Sequence, residues 1–564
     1  MTPMRPTVSK ITQLCMALSL AMGAGAVVAQ VRPPDSGQIL QQIPKPQALP
    51  PSSSLGLKVE QQPQNKADNS TTFTVRSIEI TGNTELPTDM LHALVASGEG
   101  KNLTLRDLDA LADRISDAYH KHGYPLATAY VPAQTIKDGV VRIDVAEARY
   151  GAVTLNNHSA VSNRVLSNTL SPLQSGQPVT EYTLERSLLL LSDIPGASTN
   201  STLRPGQAVG TSDLQVDVTS QPRYTGEIGL DNDGNKYTDA VRANGTFSIN
   251  GLFNQGDLLD LNAITSGSGM QYGRLDYRYL LNGQGTTLGA SVSGLDYHLK
   301  NELSDLDAHG TAYVGGLVLA QPIIRNTKGN LYAQIEFDHR RLSDDIGVVG
   351  IEDQRHTNSW TATLAGDQLD STGVSNARVA VTYGHLYADN FQTEVLDYLG
   401  AQTAGSYTKF TYTLSRLQQL NPTNAFYFGF TGQSANKNLD SSEQFYLGGP
   451  DSVRGYDVGV LAGAEGNLAT IEYRHDTTIA LFPGTWQFAV FADSGRLQPY
   501  KDTFVGGPNS ARLNSIGVGF HWTGADGWLV TSSVAVPVGN TPELLGANAN
   551  TVAHFWFEVR KSFY

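Results

Sequence analysis

From about Tyr224 to Tyr564 the sequence has no helical period. It breaks instead into 16 segments of roughly 8–14 residues, each bounded by Gly, Asn, Asp or Pro. The clearest segments alternate strictly. In Leu331 to Arg340, the side chains of Leu331, Ala333, Ile335 and Phe337 fall on one face and those of Tyr332, Gln334, Glu336 and Asp338 on the other. Phe426, Phe428 and Phe430 share a face, and Trp486, Phe488 and Val490 oppose Gln487, Ala489 and Asp493. An even number of such segments, apolar on one side and polar on the other, predicts a closed antiparallel barrel set in a membrane. Soluble sandwiches and β-helices also alternate, but the number of segments and the aromatic terminus favour the barrel.

Composition agrees. Only 16% of residues are charged, while the chain has 56 glycines and 24 tyrosines, a poor mixture for a soluble enzyme. The net charge of −14 and the lack of any Lys/Arg cluster exclude a nucleic-acid binder. Beyond the N-terminus no run of 18 apolar residues occurs, which excludes a transmembrane helix.

Arg5 and Lys10 precede an apolar stretch from Ile11 to Val28, and Val27-Val28-Ala29 offers small residues for cleavage. Residues 1–29 are therefore expected to be an export signal. It holds the single cysteine, Cys15. Residues 30–71 are rich in Pro, Gln and Ser, the composition of a linker. One exception is Asp35 to Ile43, where Ile39, Leu40 and Ile43 share a helical face until Pro44 ends it. So short a helix does not persist alone in water.

Two small modules lie between linker and barrel. In residues 72–148 a strand (FTVRSIEI) is followed by a helix from about Thr88 and a second from Thr104, capped with Asp107. Leu108, Leu111, Ile115 and Tyr119 form its apolar face. Gly123 suits its C-terminal end, and two strands close the unit. Residues 149–221 repeat this βααββ order, with helices at Val161–Leu170 and from Thr180. The expected fold is thus an all-β barrel of 16 antiparallel strands, residues 222–564, behind two α+β modules.

No catalytic pattern is present: no HExxH, no GxSxG, no phosphate loop and no metal-ligand spacing among the 12 histidines. DNDGN at Asp231–Asn235 reads as a hairpin turn rather than a calcium loop. The distinctive strings are Val453-Arg454-Gly455-Tyr456, within the long loop 432–465, and Phe491-Ala492-Asp493-Ser494-Gly495. Strand parity turns Asp493 to the lumen, where a carboxylate can meet a planar guanidinium in a two-bond pair.

In this order and spacing the motifs resemble those of two-partner secretion transporters, the TpsB group of the Omp85 superfamily, which includes haemolysin activators and adhesin exporters. Residues 103–148 resemble the family's first POTRA domain and LERSLLLLSDIPG (184–196) its second. TGEIGLDNDGNKYT (225–238) resembles its first barrel strand and turn. The resemblance implies that Arg454 is the tip of a lumen-inserted loop, that Asp493 is its partner, and that the helix carrying Ile39, Leu40 and Ile43 is a plug. It implies an outer-membrane transporter with its POTRA domains in the periplasm, exporting a large β-rich exoprotein (adhesin, haemolysin or contact-dependent toxin). No cofactor, metal or nucleic acid is implied. The other expected partners are outer-membrane lipid and the barrel-assembly machinery. The rivals are an Omp85-type assembly factor, which usually carries more POTRA modules, a diffusion porin, which carries none, and, remotest, an enzyme embedded in a barrel.

Overall fold

The computed structural model describes residues 33–44, 55–59, 71–208, 210–480, 482–546 and 552–564. The expected signal, residues 1–29, lies outside the described residues. Sixteen antiparallel strands from Tyr224–Asp231 to His554–Phe563 close into one barrel, in which each strand pairs with its chain neighbours. Closure is made by Tyr224–Asp231 against His554–Phe563, with Gly226 opposite Phe563 and Asp231 opposite Glu558.

Alternation decides what each face meets. Ile335, Leu364, Val381, Phe428, Phe488, Val490, Ile516 and Phe555 project outward and are exposed. Gln334, Thr363, Thr382, Gln433, Asp493 and Ser515 face inward and are buried. An apolar exterior that encircles the molecule is stable only against lipid. Phe555, Phe557, Val559 and Phe563 keep one parity in the last strand, which ends at Phe563, so Tyr564 stands beyond the ladder.

The first module differs from the expected order at its start. FTVRSIEI is two strands, Thr72–Val75 and Ser77–Thr81, in different sheets. The first pairs with Lys101–Thr104, a strand not anticipated, and the second runs parallel to Val140–Ala146. Between them the Arg76 amide donates to the Gly139 carbonyl at 2.7 Å. That bond takes Arg76 out of both ladders. Helix Leu105–Lys121 carries the anticipated capping box of Thr104 and Asp107, and buries Leu108, Leu111, Ile115 and Tyr119.

In the second module, helices Asn163–Leu170 and Glu181–Ser192 cover a sheet of Arg149–His158, Thr211–Ser220 and Ala197–Pro205. The linker is not structureless throughout. Leu57–Val59 forms a fourth strand on the edge of this sheet, parallel to Ser201–Leu203. Leu55 and Leu57 reach the module's core, which supplies apolar contact that linker composition did not foretell.

The second module docks on the barrel end where the strands are joined by short turns. Arg325 donates from Nε and Nη2 to the two carboxylate oxygens of Asp193 at 2.8 and 2.7 Å. Arg186 donates to the carbonyl of Pro322 at 2.9 Å, and the Thr327 hydroxyl to Glu185 at 2.9 Å.

Candidate functional site

The loop between strands Asn424–Ala435 and Glu465–Ile479 spans residues 436–464. Its expected start at 432 is corrected, because Gly432 to Ala435 stay in the ladder with Tyr412 to Lys409. The loop folds back inside the barrel. Phe445–Leu447 and Leu461–Gly463 form a two-stranded hairpin within it. Leu447, Val453, Tyr456 and Leu461 bury themselves against the inward residues Leu468, Leu497 and Leu513.

At the tip, Arg454 meets Asp493. Its Nε lies 2.9 Å from Oδ2 and its Nη2 2.7 Å from Oδ1, and its backbone N–H donates to Oδ2 at 3.2 Å. Thr470 and Ser515 hydroxyls each donate to the same carboxylate at 3.0 Å. The Asp493 side chain is wholly buried. The third guanidinium nitrogen of Arg454 donates to Glu472 at 2.7 Å, and the group lies 3.3 Å over the centre of the Phe491 ring. Trp556 donates from its indole to the Arg454 carbonyl at 2.8 Å. Two carboxylates, an aromatic face and an indole N–H therefore hold one arginine.

The glycines of both motifs make this approach possible. A Cβ on Gly455 would stand 2.8 Å from Ser515 Cβ and 2.9 Å from the Pro537 nitrogen. One on Gly495 would stand 2.7 Å from Leu447 and 3.0 Å from Val453. Val453, Arg454, Gly455, Tyr456, Phe491, Asp493 and Gly495 thus come together in one place.

A second cluster holds the short helix, Ser36–Gln41. Asp35 caps it, accepting from the Gln38 amide at 2.8 Å. Ile39 and Ile43 are buried among Ile264, Tyr272, Leu295 and Tyr297 of the inner wall, while Leu40 is only partly covered. Ser36 donates from its amide and hydroxyl to the two oxygens of Asp344, at 2.8 and 2.9 Å. Gln38 and Gln41 donate to the loop carbonyls of Gly459 and Ser442. Beneath them lies Arg355, which meets Asp35 at 3.2 Å, Asp344 at 2.8 Å, Asp353 at 2.9 Å and Asp440 at 2.7 Å. Helix, wall and loop converge on this one guanidinium.

The sequence reading missed Arg355, Asp344, Asp440 and Glu472. The available signal was parity: Asp353 and Arg355 share the inward face of Ile351–Asp370, as Glu472 and Arg474 share that of Glu465–Ile479. Arg474 donates to Glu472 at 2.8 Å.

The arrangement is one of a lined channel occupied by two pieces of its own chain, and comparison with known proteins gives that arrangement a family. Residues 210–520 match the family described as haemolysin secretion/activation protein ShlB/FhaC/HecB. The chain belongs to this family. Residues 73–148 also match the ShlB-type POTRA domain. The chain is 29% identical over 574 residues to the heme/hemopexin transporter protein HuxB of Haemophilus influenzae, across 99% of this chain and all of that one. It is 23% identical to the outer membrane transporter CdiB of Dickeya dadantii, across 77% of this chain and 79% of that one. The solved CdiB from Escherichia coli superposes with a TM-score of 0.70 over both whole chains at 19% identity. That last likeness concerns the fold alone. This ShlB/FhaC/HecB member is an outer-membrane transporter of a two-partner secretion system, and members of its family are transporters rather than enzymes.

Proposed function

We propose that the protein carries one large, β-rich exoprotein from the periplasm through its own barrel to the cell surface, without ATP. The observation that carries this reading is the lumen. Its inner wall is largely polar, and it is filled by a helix and a loop held through ion pairs, hydrogen bonds and a few apolar contacts. The helix, held in that way, can leave while the loop tip stays. The helix of Ile39, Leu40 and Ile43 closes the resting pore, and Arg454 keeps the loop tip on Asp493 while cargo passes. The POTRA modules present sheet edges to which an unfolded client adds a strand through main-chain hydrogen bonds, tolerant of sequence and modest in affinity. Folding of the client outside gives the transport its direction.

The likeness to HuxB runs through 99% of the chain, and that to CdiB of Dickeya dadantii through 77%. This supports a haem-scavenging cargo ahead of a cytolysin, an adhesin or a growth-inhibiting toxin. The exposed apolar belt is in contact with outer-membrane lipid. The aromatic register of the last strand suits recognition by the barrel-assembly machinery during biogenesis.

Comparing culture supernatants with and without the gene tests the reading. Loss of a single large exoprotein, retained by haemin–agarose when it is present, is the expected result. A general fall in outer-membrane proteins would instead indicate an assembly factor.

A further inference from the structure

At the barrel rim opposite the POTRA modules, two histidines meet across a hairpin. His298 ends strand Thr287–His298, and His309 is the second residue of strand Ala308–Arg325. The two are register partners, and their rings stack with 5.2 Å between centres and 9° between planes. Both share the outward face with the exposed Val292 and Tyr313. Toward the other ends of these strands, the carbonyls of Gln284 and Pro322 hold Arg186 of the second module. Eleven residues separate the pair in sequence, a spacing that belongs to no linear metal motif, so only the fold brings them together.

Asp307 completes the group. Its carboxylate lies 3.5 Å from His298 Nε2, and its backbone carbonyl accepts from His309 Nδ1 at 3.1 Å. A carbonyl on one ring nitrogen is the usual means of orienting a ligating histidine, and it leaves Nε2 for the ion. The carboxylate has room made for it: a Cβ on Gly347 would stand 2.5 Å from Asp307 Oδ2. One ligand atom from each of the three side chains lies within 4.8 Å of the others. Ligands 2.0–2.1 Å from a tetrahedral ion stand about 3.4 Å apart, so rotation of these side chains closes the remaining distance. Two imidazoles and a carboxylate, with a fourth position open to water, suit an ion of the zinc class. Calcium and magnesium take oxygen ligands instead.

We propose that His298, Asp307 and His309 bind one divalent transition ion of the zinc class at the outer rim, and that this ion clamps the base of the loop 299–307. The three ligands bracket the loop. Two stand on the strands that enter and leave it, and the third is its last residue. Within it, the turn Asn301–Leu306 sets Leu303 and Leu306 against the cluster that buries Ile39 and Ile43 of the lumen helix. Asn301 also donates to the Lys236 carbonyl of the neighbouring loop at 2.6 Å. The loop is thus an outer cover over that helix, and an ion at its base holds the cover in place. The site goes beyond the transporter reading and does not depend on it.

Titration with Zn²⁺ against a chromophoric chelator tests the site, on full-length protein purified from outer membranes in detergent without a polyhistidine tag. One ion should bind per chain, and His298→Ala combined with His309→Ala should weaken that binding at least tenfold. Asp307→Asn should weaken it less; asparagine tolerates the positive φ of +49° found there. His339→Ala combined with His385→Ala, at histidines outside the site, should leave binding unchanged. No zinc bound by the intact chain, or binding that survives loss of His298 and His309, would overturn the proposal. The clamp has its own readout. Saturating Zn²⁺ should slow amide hydrogen exchange in residues 299–307 about fivefold or more in the intact chain, and not in the His298/His309 double variant. Exchange in that loop unaltered by bound zinc would contradict the clamp.

Discussion

Asp193 and Arg325 join the second POTRA module to the barrel through two parallel hydrogen bonds of 2.8 and 2.7 Å, and the arginine side chain has no exposure to solvent. Such a pair fixes orientation as well as position, because two parallel donors hold the carboxylate in the plane of the guanidinium.

Removing one member of a buried ion pair typically costs about 3–5 kcal/mol, since the other charge loses its counter-charge; Arg325 would keep its bond to Asn330 at 2.9 Å. Asp193→Ala should therefore loosen the docked module and leave the barrel closed. Hydrogen exchange should show faster opening of helix Glu181–Ser192, with protection of the barrel strands unchanged.

Deleting residues 36–43 should raise ion conductance in planar bilayers, because those residues occupy the lumen beside Tyr272, Leu295 and the loop. Asp35→Ala should act in the same direction and less strongly. It removes the helix cap and one of four carboxylates on Arg355, while both Ser36 bonds to Asp344 remain. Conductance equal to that of the intact protein in the deletion variant would remove the plug role.

Gly455→Ala places a methyl group within 3 Å of backbone atoms of Val536 and Pro537, neither of which can rotate away. Overpacking of this kind costs about 1–3 kcal/mol. Export should fall while the barrel keeps its resistance to unfolding in cold detergent. Normal export by this variant would mean that the loop tip tolerates displacement.

Glu147 of the first POTRA module lies 3.5 Å from Arg149 of the second and should make them acid-sensitive. Burial pushes its carboxyl upward, but donation from the Glu85 amide, from the hydroxyl and amide of Thr84 and from the Tyr119 hydroxyl outweighs this and holds it below the usual range. A depressed folded-state value contributes stability above the unfolded value, about 4.3, and that contribution is lost as pH falls through the lower folded value. Thermal unfolding of a fragment of residues 55–221 should show a falling Tm below about pH 4. Glu147→Gln should flatten that dependence and lower the stability at neutral pH by about 1–3 kcal/mol.

Periodicity made most of the architecture legible. Alternation placed Phe488 and Val490 outward and Asp493 inward, and the Thr104–Asp107 spacing located a helix start that the structure reproduces. What escaped depends on contacts remote in sequence. Nothing local to FTVRSIEI reveals that Arg76 leaves the ladder to bond Gly139, and nothing in a Pro- and Gln-rich linker reveals that Leu57 finds a core some 140 residues away. Arg355 gathers carboxylates from positions 35, 344, 353 and 440. Parity shows that its side chain faces the lumen, but only the closed fold brings Asp35 and Asp440 to it. The resemblance named Arg454 and Asp493 as partners in advance, and parity turned Asp493 to the lumen. Glu472, the second carboxylate on Arg454, carried no motif.

The central claim is that export depends on the loop tip held inside the barrel by Arg454 and Asp493, and a double-mutant cycle on secretion yield tests it most directly. Arg454→Ala and Asp493→Ala should each impair export severely, and the double variant should be little worse than either. Arg454→Lys should rescue only in part, because an ammonium cannot reproduce the two-bond fork while also reaching Glu472. Normal export by Arg454→Ala, or losses from the two substitutions that simply add, would contradict the account.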